Sequence, residues 1–261
     1  MSTINQLFDL SGRTALVTGG SRGLGLQLAE SLGELGARIV LSARKIGELQ
    51  EAQAHLNSLG IEADFIAADG AVEKDIHRLA NETLARLGRI DILVNNAGAV
   101  WSAPAEDHPI DAWDKVMDLN IRGLFLLTQQ VGKRSMIPRG YGRIVNIASI
   151  AGLRGNSPDA MSTIAYNASK GAVVNFTRAL AGEWGRHGIT VNAIAPGFFP
   201  SNMTRGLLNK LGADSVAAEV PLRRIGDSED LKGAVALFAS DAGKHITGQI
   251  LAVDGGATAV L

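Results

Sequence analysis

Short β-branched apolar runs alternate along the chain with longer segments of helical periodicity, and the alternation persists from one end to the other. The apolar runs at 13–18, 38–43, 63–68, 90–95, 143–148, 190–195 and 249–253 read as seven strands. The periodic segments at 23–35, 47–59, 73–87, 110–136, 164–186 and 228–240 read as helices. This pattern predicts repeated βαβ units around a parallel sheet. Gly36, Gly60, Gly88 and Gly188 follow four of the helices, where a left-handed cap would stop each one before the next strand. With no linker, low-complexity tract or internal repeat, residues 1–261 read as one domain. Segment 196–221 departs from the alternation: it is apolar, contains Gly and Pro, and reads as a loop with a short helix inside, either a lid over a site or a packed surface insertion.

Composition narrows the class. The chain is 46% hydrophobic and 20% charged, enough apolar material for a sizeable core, which excludes disorder. Its 31 glycines follow no Gly-X-Y period and imply tight turns, not collagen. With 25 basic and 26 acidic residues the net charge is −1, so no global field gathers nucleic acid or anionic lipid. Absence of cysteine removes disulfides, thiolate metal sites and Cys nucleophiles. Residues 1–10 lack the pattern of a signal peptide, and no stretch stays apolar long enough to span a bilayer. The expectation is a soluble cytoplasmic protein with no nucleic-acid or membrane partner. The five histidines have no metal-ligand spacing and read as surface or capping residues, so no metal site is expected.

Candidate chemistry begins at Thr18-Gly19-Gly20-Ser21-Arg22-Gly23-Leu24-Gly25, directly after the first strand and opening the first helix. Such a turn lets the backbone, including Ser21 and Leu24, approach a diphosphate, while the helix N-terminus offers free N–H groups. A purely structural turn is the alternative. After the second strand the chain reads Ala43-Arg44-Lys45, without the acid that holds ribose hydroxyls in NAD-binding proteins. Arg44 and Arg22 could bracket a 2′-phosphate, which favours NADP(H) with NAD(H) as the second choice; alternatively both are ordinary surface charges.

Tyr166 and Lys170 are four residues apart on one helical segment and project from one face. An ammonium near a phenol favours the phenolate, so such a tyrosine could exchange a proton with an alcohol near neutral pH. A solvent-facing pair without function is the alternative.

Together these residues resemble the short-chain dehydrogenase/reductase family over essentially the whole chain. The resemblance is carried by Thr18-Gly19-x3-Gly23-x-Gly25, Asp69, Asn95-Asn96-Ala97-Gly98, Asn120, Ser149, Tyr166-x3-Lys170 and Pro196-Gly197. It implies a doubly wound, Rossmann-like three-layer α/β sandwich with seven parallel strands in the order 3-2-1-4-5-6-7. It further implies a catalytic set of Asn120, Ser149, Tyr166 and Lys170. Ser149 and Tyr166 would meet the substrate carbonyl, Lys170 would hold the nicotinamide ribose and lower the tyrosine pKa, and Asn120 would position a water. Asp69 would meet the adenine with Gly70 beside it. Asn95, Ala97 and Gly98 would run along the cofactor, and Pro196, Gly197 and Phe199 would face the carboxamide.

Two departures stand out: the Ser149 to Tyr166 spacing is longer than the family's usual one, an insertion within 154–163, and Gly70 replaces a frequent apolar residue. Trp101, Met161, Phe198 and Met203, with Ile150, Leu153, Asn156 and Phe199, are candidate substrate contacts and favour a hydrophobic ketone or 3-oxoacyl thioester; packing against one another is their alternative. Arg154 and Arg205 could instead meet an anionic substrate. The family's 3-oxoacyl reductases and gluconate 5-dehydrogenases are equally similar to this sequence. The activity expected is NADP(H)-dependent interconversion of a ketone and a secondary alcohol, the contrasting class being a non-catalytic dinucleotide sensor. Small residues Ala168, Gly171, Ala172 and Ala179 would permit helix pairing in a homotetramer, or a homodimer.

Overall fold

The computed structural model describes residues 1–156, 161–200, 204 and 212–260. Its strands are β1 (Thr14–Thr18), β2 (Arg38–Ala43), β3 (Ala63–Ala67), β4 (Ile92–Asn95), β5 (Gly142–Ile147), β6 (Ile189–Pro196) and β7 (Ile250–Val253). They form one parallel sheet in the order β3-β2-β1-β4-β5-β6-β7. All seven expected strands are present, β2 with the expected bounds and the others with ends within two residues of them.

Side-chain alternation along the strands feeds a core on each face, with a smaller third cluster of Leu124, Ala148, Val173, Val174, Ala193 and Ala195. Ala15, Val17, Ile39, Leu41, Ile92 and Val94 pack with α2 (Gly23–Glu34), α3 (Ile46–Ser58) and the last helix, Lys232–Ala239. The residues between them, Leu16, Val40 and Leu93, pack on the other face with α4 (Glu73–Leu87), Leu127, Val131 and Leu180. The sheet is therefore covered on both sides, and β1, β4, β5 and β6 are buried throughout.

Local chemistry explains where helices start and stop. In α4, Glu73 and Asp75 occupy the first turn and Arg86 the last, matching the helix dipole. Gly88 then adopts φ 73° and donates its N–H to the Leu84 carbonyl. Gly36, Gly60 and Gly188 are left-handed as well. The helix expected over 110–136 is not uniform. It runs as α5 (Ile110–Met117), a π-turn at Asp118–Gly123, α6 (Leu124–Val131), a second π-turn at Gly132–Met136 and the short α7 (Ile137–Arg139). The reason is tertiary: the backbone must pass Gly70 at Gly123 and the Trp184 ring at Gly132, where a Cβ would come within 1.9 and 2.1 Å of their atoms. The helix expected over 228–240 begins only at Lys232, behind a turn pinned by Asp227 and Asp230. The helix over 164–186 is α8 (Ile164–Trp184) with a 3-10 turn at Gly185–His187. Within segment 196–221 a short helix, α9 (Ala213–Ala218), is present; the last helix is then α10. A five-residue helix, α1 (Ile4–Phe8), was not expected.

Candidate active site

In a parallel sheet that winds outward in both directions from β1 and β4, the carboxyl ends of those strands leave a crevice that no crossover fills. A cavity of about 750 Å³ opens there. Every residue expected along a cofactor lines it: Gly19 and Ser21 to Gly25 after β1, Arg44 after β2, Asp69 and Gly70 after β3, and Asn95, Ala97 and Gly98 after β4. Tyr166 and Lys170 from α8, and Pro196, Gly197 and Phe199 at the end of β6, close the other end with Ser149.

The glycine turn is held open by conformation and by Asn96. Gly19 and Gly23 lie in the left-handed region at φ 63° and 54°. Gly25 passes so close that a Cβ would meet the Gly19 carbonyl oxygen at 2.2 Å. Asn96 Nδ2 donates to the carbonyls of Thr18 (2.9 Å) and Gly19 (3.1 Å), and Thr18 Oγ1 accepts from the N–H of Asn96 (3.0 Å) and Ala97 (3.1 Å). The turns after β1 and β4 are thus one hydrogen-bonded unit. No side chain caps the N-terminus of α2, which leaves its first N–H groups open to an anion.

Asn95 borders the cavity, but its side chain turns inward. Its Nδ2 donates to Thr128 Oγ1 (3.0 Å) and Asn146 Oδ1 (2.9 Å), and Asn146 in turn donates to Thr177 Oγ1 (2.9 Å). This chain locks the ends of β4 and β5 against α6 and α8, a positioning role that turn composition alone does not reveal. Asp69 Oδ1 accepts the Ala71 N–H at 3.0 Å and so shapes the turn after β3.

Facing Arg22 is an acid that inspection of the β2 end did not reveal. Glu48, one turn into α3, lines the cavity and pairs with Arg22 at 2.7 Å and Lys45 at 2.9 Å. Lys45, then Arg22, hold its carboxyl below the usual carboxylate range. The Arg44 side chain is exposed and makes no hydrogen bond or ion pair among the described residues.

The four candidate catalytic residues converge from three elements. Ser149 ends the run out of β5, where its Oγ accepts the Ala151 N–H at 3.1 Å, and its hydroxyl lies near enough to the Tyr166 phenol to favour the phenolate. Lys170 is 4% exposed and donates to the Ile147 carbonyl at 2.6 Å, with its Nζ 5.6 Å from the Tyr166 ring centroid. Asn120 lies within the π-turn. Its Oδ1 accepts the Ala99 N–H (2.8 Å), and its Nδ2 donates to the Ala99 carbonyl and Ser169 Oγ, both at 2.9 Å. Asn120 does not line the cavity itself; with Lys170 it flanks Gly98, whose Cβ position would lie 3.4 Å from Asn120 Oδ1 and 3.7 Å from Lys170 Nζ.

The expected acidification of Tyr166 by Lys170 is not present in this state. Burial raises the Tyr166 pKa above the ordinary phenol value, and only the Ser149 hydroxyl works against that. Burial also pulls Lys170 down to about 8, because its ammonium has a carbonyl and no carboxylate as partner. The two groups lie closer to neutral proton exchange from the lysine side than from the tyrosine side.

The substrate candidates fare differently. Trp101 is exposed on the loop after Gly98, and neither it nor Met161 lines the cavity. Ile150 is buried beneath the 3-10 turn at Ile150–Gly152, Leu153 faces outward, and Asn156 ties Met161, Thr163 and Asn167 together; none of the three lines the cavity. Phe198 turns to a separate pocket with Val220, Pro221 and Asp254, whereas Phe199 borders both. Arg154 is exposed and lowers the Asp254 pKa only as a minor influence behind burial, which raises it, and the Thr258 and Gly256 hydrogen bonds. Met203 and Arg205 lie outside the described residues. His55 pairs with Glu30 at the surface, but His108 packs edge-on against Trp113 with both ring nitrogens buried and unpartnered. Among the described residues no cluster could hold a metal, and no helix is long and apolar enough to cross a membrane.

Known proteins resemble the chain over nearly its whole length. A family model described as Enoyl-(Acyl carrier protein) reductase matches residues 19–258. The gluconate 5-dehydrogenase of Gluconobacter oxydans is 41% identical over 257 residues, covering 98% of each chain. The rhamnolipids biosynthesis 3-oxoacyl-(acyl-carrier-protein) reductase of Pseudomonas aeruginosa is 40% identical over 255 residues, covering 95% of this chain and 97% of that one. Among solved structures, a gluconate 5-dehydrogenase from Burkholderia cenocepacia in complex with NADP and tartrate superposes with a TM-score of 0.93 at 36% identity, covering 99% of this chain and all of the other. With sheet order, glycine turn and the Ser149, Tyr166 and Lys170 constellation all in place, full-length matches of this depth make the chain a member of the short-chain dehydrogenase/reductase family.

Proposed function

We propose that the protein is an NADP(H)-dependent oxidoreductase that interconverts a ketone and a secondary alcohol, with Tyr166 as the general acid and base. The observation that carries this reading is that Ser149, Tyr166 and Lys170 line one end of a cavity whose other end is the glycine turn. A dinucleotide fits the residues present: the Gly19 to Gly25 turn is packed too tightly for a Cβ at Gly19 or Gly25, which keeps its backbone close to the cavity, and the α2 N-terminus is uncapped. The cavity also lies within the roughly 300–1,000 Å³ range of small-molecule sites. The NADP form is supported by Arg22 and Arg44 on the wall and by related structures solved with NADP.

When bound, the nicotinamide ring exchanges a hydride with the carbonyl carbon. Ser149 and Tyr166 would hydrogen-bond the carbonyl oxygen, and the Tyr166 hydroxyl would pass its proton to it in reduction or take one in oxidation. Lys170 would hold the ribose and supply positive charge beneath the phenol, lowering a pKa that burial alone raises. Asn120 ties the loop after β4 to α8, and the water assigned to it belongs to this proposal.

The substrate of the first reading is a hydrophobic ketone or 3-oxoacyl thioester. A keto sugar acid is the second reading, favoured by one observation: of the apolar candidates among the described residues only Phe199 lines the cavity, and Trp101, Ile150, Leu153, Met161 and Phe198 do not. The proposal includes one cytoplasmic domain that forms a homotetramer or homodimer, a state supported by Ala168, Ala179 and Phe125 lying exposed on α8 and α6.

The test is NADPH oxidation with a panel of oxoacyl thioesters, keto sugar acids and aryl ketones, followed by cofactor absorbance. Tyr166→Phe is expected to lower turnover by about 10²- to 10⁴-fold while the NADPH Kd stays within about twofold. Full turnover in that variant would remove the assignment.

A further inference from the structure

The Glu48 carboxylate gathers donors from two different turns. Arg22 Nη1 lies at 2.7 Å, Lys45 Nζ at 2.9 Å and Ser21 Oγ at 3.3 Å. Ser21 and Arg22 follow β1 and Lys45 follows β2; they meet because Thr18 and Ser42 are partners at the ends of neighbouring strands. All four residues line the cavity. Two cations and a hydroxyl around one point form a recognition set for a phosphate monoester. In this structure a carboxylate of the chain itself occupies it.

We propose that Glu48 is a specificity-determining residue that competes with the 2′-phosphate of the dinucleotide for Arg22, Lys45 and Ser21. The inference rests on the dinucleotide reading above and deepens it. An unphosphorylated ribose leaves the three contacts intact. A 2′-phosphate must displace the carboxylate or share the cations with it, at the cost of repulsion between two anions. Arg44, unpaired among the described residues, remains available to the phosphate in either case. Arg22 and Lys45 are more than half exposed, so solvent and salt screen the competition and its effect is modest. Glu48 thereby moderates the preference that Arg22 and Arg44 alone would give and keeps NAD-type cofactors within reach.

The experiment is calorimetric titration of the wild type and Glu48→Gln with NADPH, NADH, 2′,5′-ADP and 5′-AMP, at low and high ionic strength. Glu48→Gln is expected to lower the Kd for NADPH and 2′,5′-ADP by about three- to tenfold, to change those for NADH and 5′-AMP by less than about twofold, and to lose most of this difference in high salt. Arg22→Gln added to Glu48→Gln is expected to cancel the gain. An unchanged NADPH to NADH ratio overturns the inference while leaving the dinucleotide reading intact. Weaker NADPH binding in Glu48→Gln overturns it too, since the carboxylate would then be orienting the cations for the phosphate. Absence of binding of all four compounds to the wild type removes the dinucleotide reading, and the inference with it.

Discussion

Lys170 sets the tension between stability and chemistry at the scale of a single residue. Its ammonium is 4% exposed, held by the Ile147 carbonyl, and burial brings its pKa from the ordinary 10.5 to about 8. Between those two values the unfolded chain binds the extra proton, so stability rises with pH across that window and the penalty is fully present below it. Lys170→Met is therefore expected to stabilise the cofactor-free protein by about 1–3 kcal/mol at pH 7 while abolishing turnover. Urea unfolding at pH 7 and again above pH 10.5 checks the sign, since the advantage must vanish at the higher pH. Glu48 shows how a residue of this kind escapes sequence inspection: attention to the last residues of β2 stops short of an acid that reaches the same point from the first turn of α3. Trp101 and Phe198 fail to reach the cavity for a related reason. Hydropathy marks Trp101 and Phe198 as apolar, but the direction of a loop side chain depends on backbone turns that no periodicity encodes.

At the scale of elements, the π-turn that carries Asn120 depends on Gly123, its own last residue, which passes the turn after β3 at close range. A Cβ on Gly123 would lie 1.9 Å from the Gly70 carbonyl oxygen, backbone that cannot yield as a side chain tip can. Gly123→Ala is expected to cost about 1–3 kcal/mol and to weaken dinucleotide binding, because the turn after β3 must move. Gly182, exposed in α8 with nothing near its Cβ position, supplies the contrast: Gly182→Ala is expected to gain about 0.5–1 kcal/mol. Denaturant midpoints of the two variants test both. The strands and most helix ends were legible because β-branched runs and left-handed glycines are local signals. The π-turns were not, since each inserts a residue at one place only, leaving the α-helical period intact on either side, and its cause lies in distant backbone. Helix α1 could have been found: Thr3 and Gln6 form a reciprocal capping box, with the Thr3 N–H donating to Gln6 Oε1 at 2.8 Å.

Across the whole molecule, the parallel sheet separates anchoring from chemistry. Asp91, fully buried just before β4, accepts from the Thr14 N–H (3.1 Å), Arg139 (2.7 Å) and Arg89 (3.0 Å). Burial works against its charge, but Arg139 and then Arg89 hold its carboxyl below the usual range. Asp91→Asn is expected to lose about 2–3 kcal/mol at pH 7, below the roughly 3–5 kcal/mol of a fully buried pair because both arginines can regain water. The deficit relative to the wild type is expected to shrink as pH falls below 3.8 through the lowered pKa, and turnover per folded molecule to stay unchanged. Urea titrations at pH 7 and pH 3 measure the first, active-site titration the second. Arg143, paired with Asp241 and stacked on Tyr141, belongs to this same rim where strands begin.

Because all seven strands run the same way, the rim where they begin and the rim where they finish have no residue in common. Variant libraries confined to the loops at 97–107 and 219–227 would leave each strand-to-strand register untouched, so the mouth of the cavity could be reshaped on this frame without rebuilding its foundations.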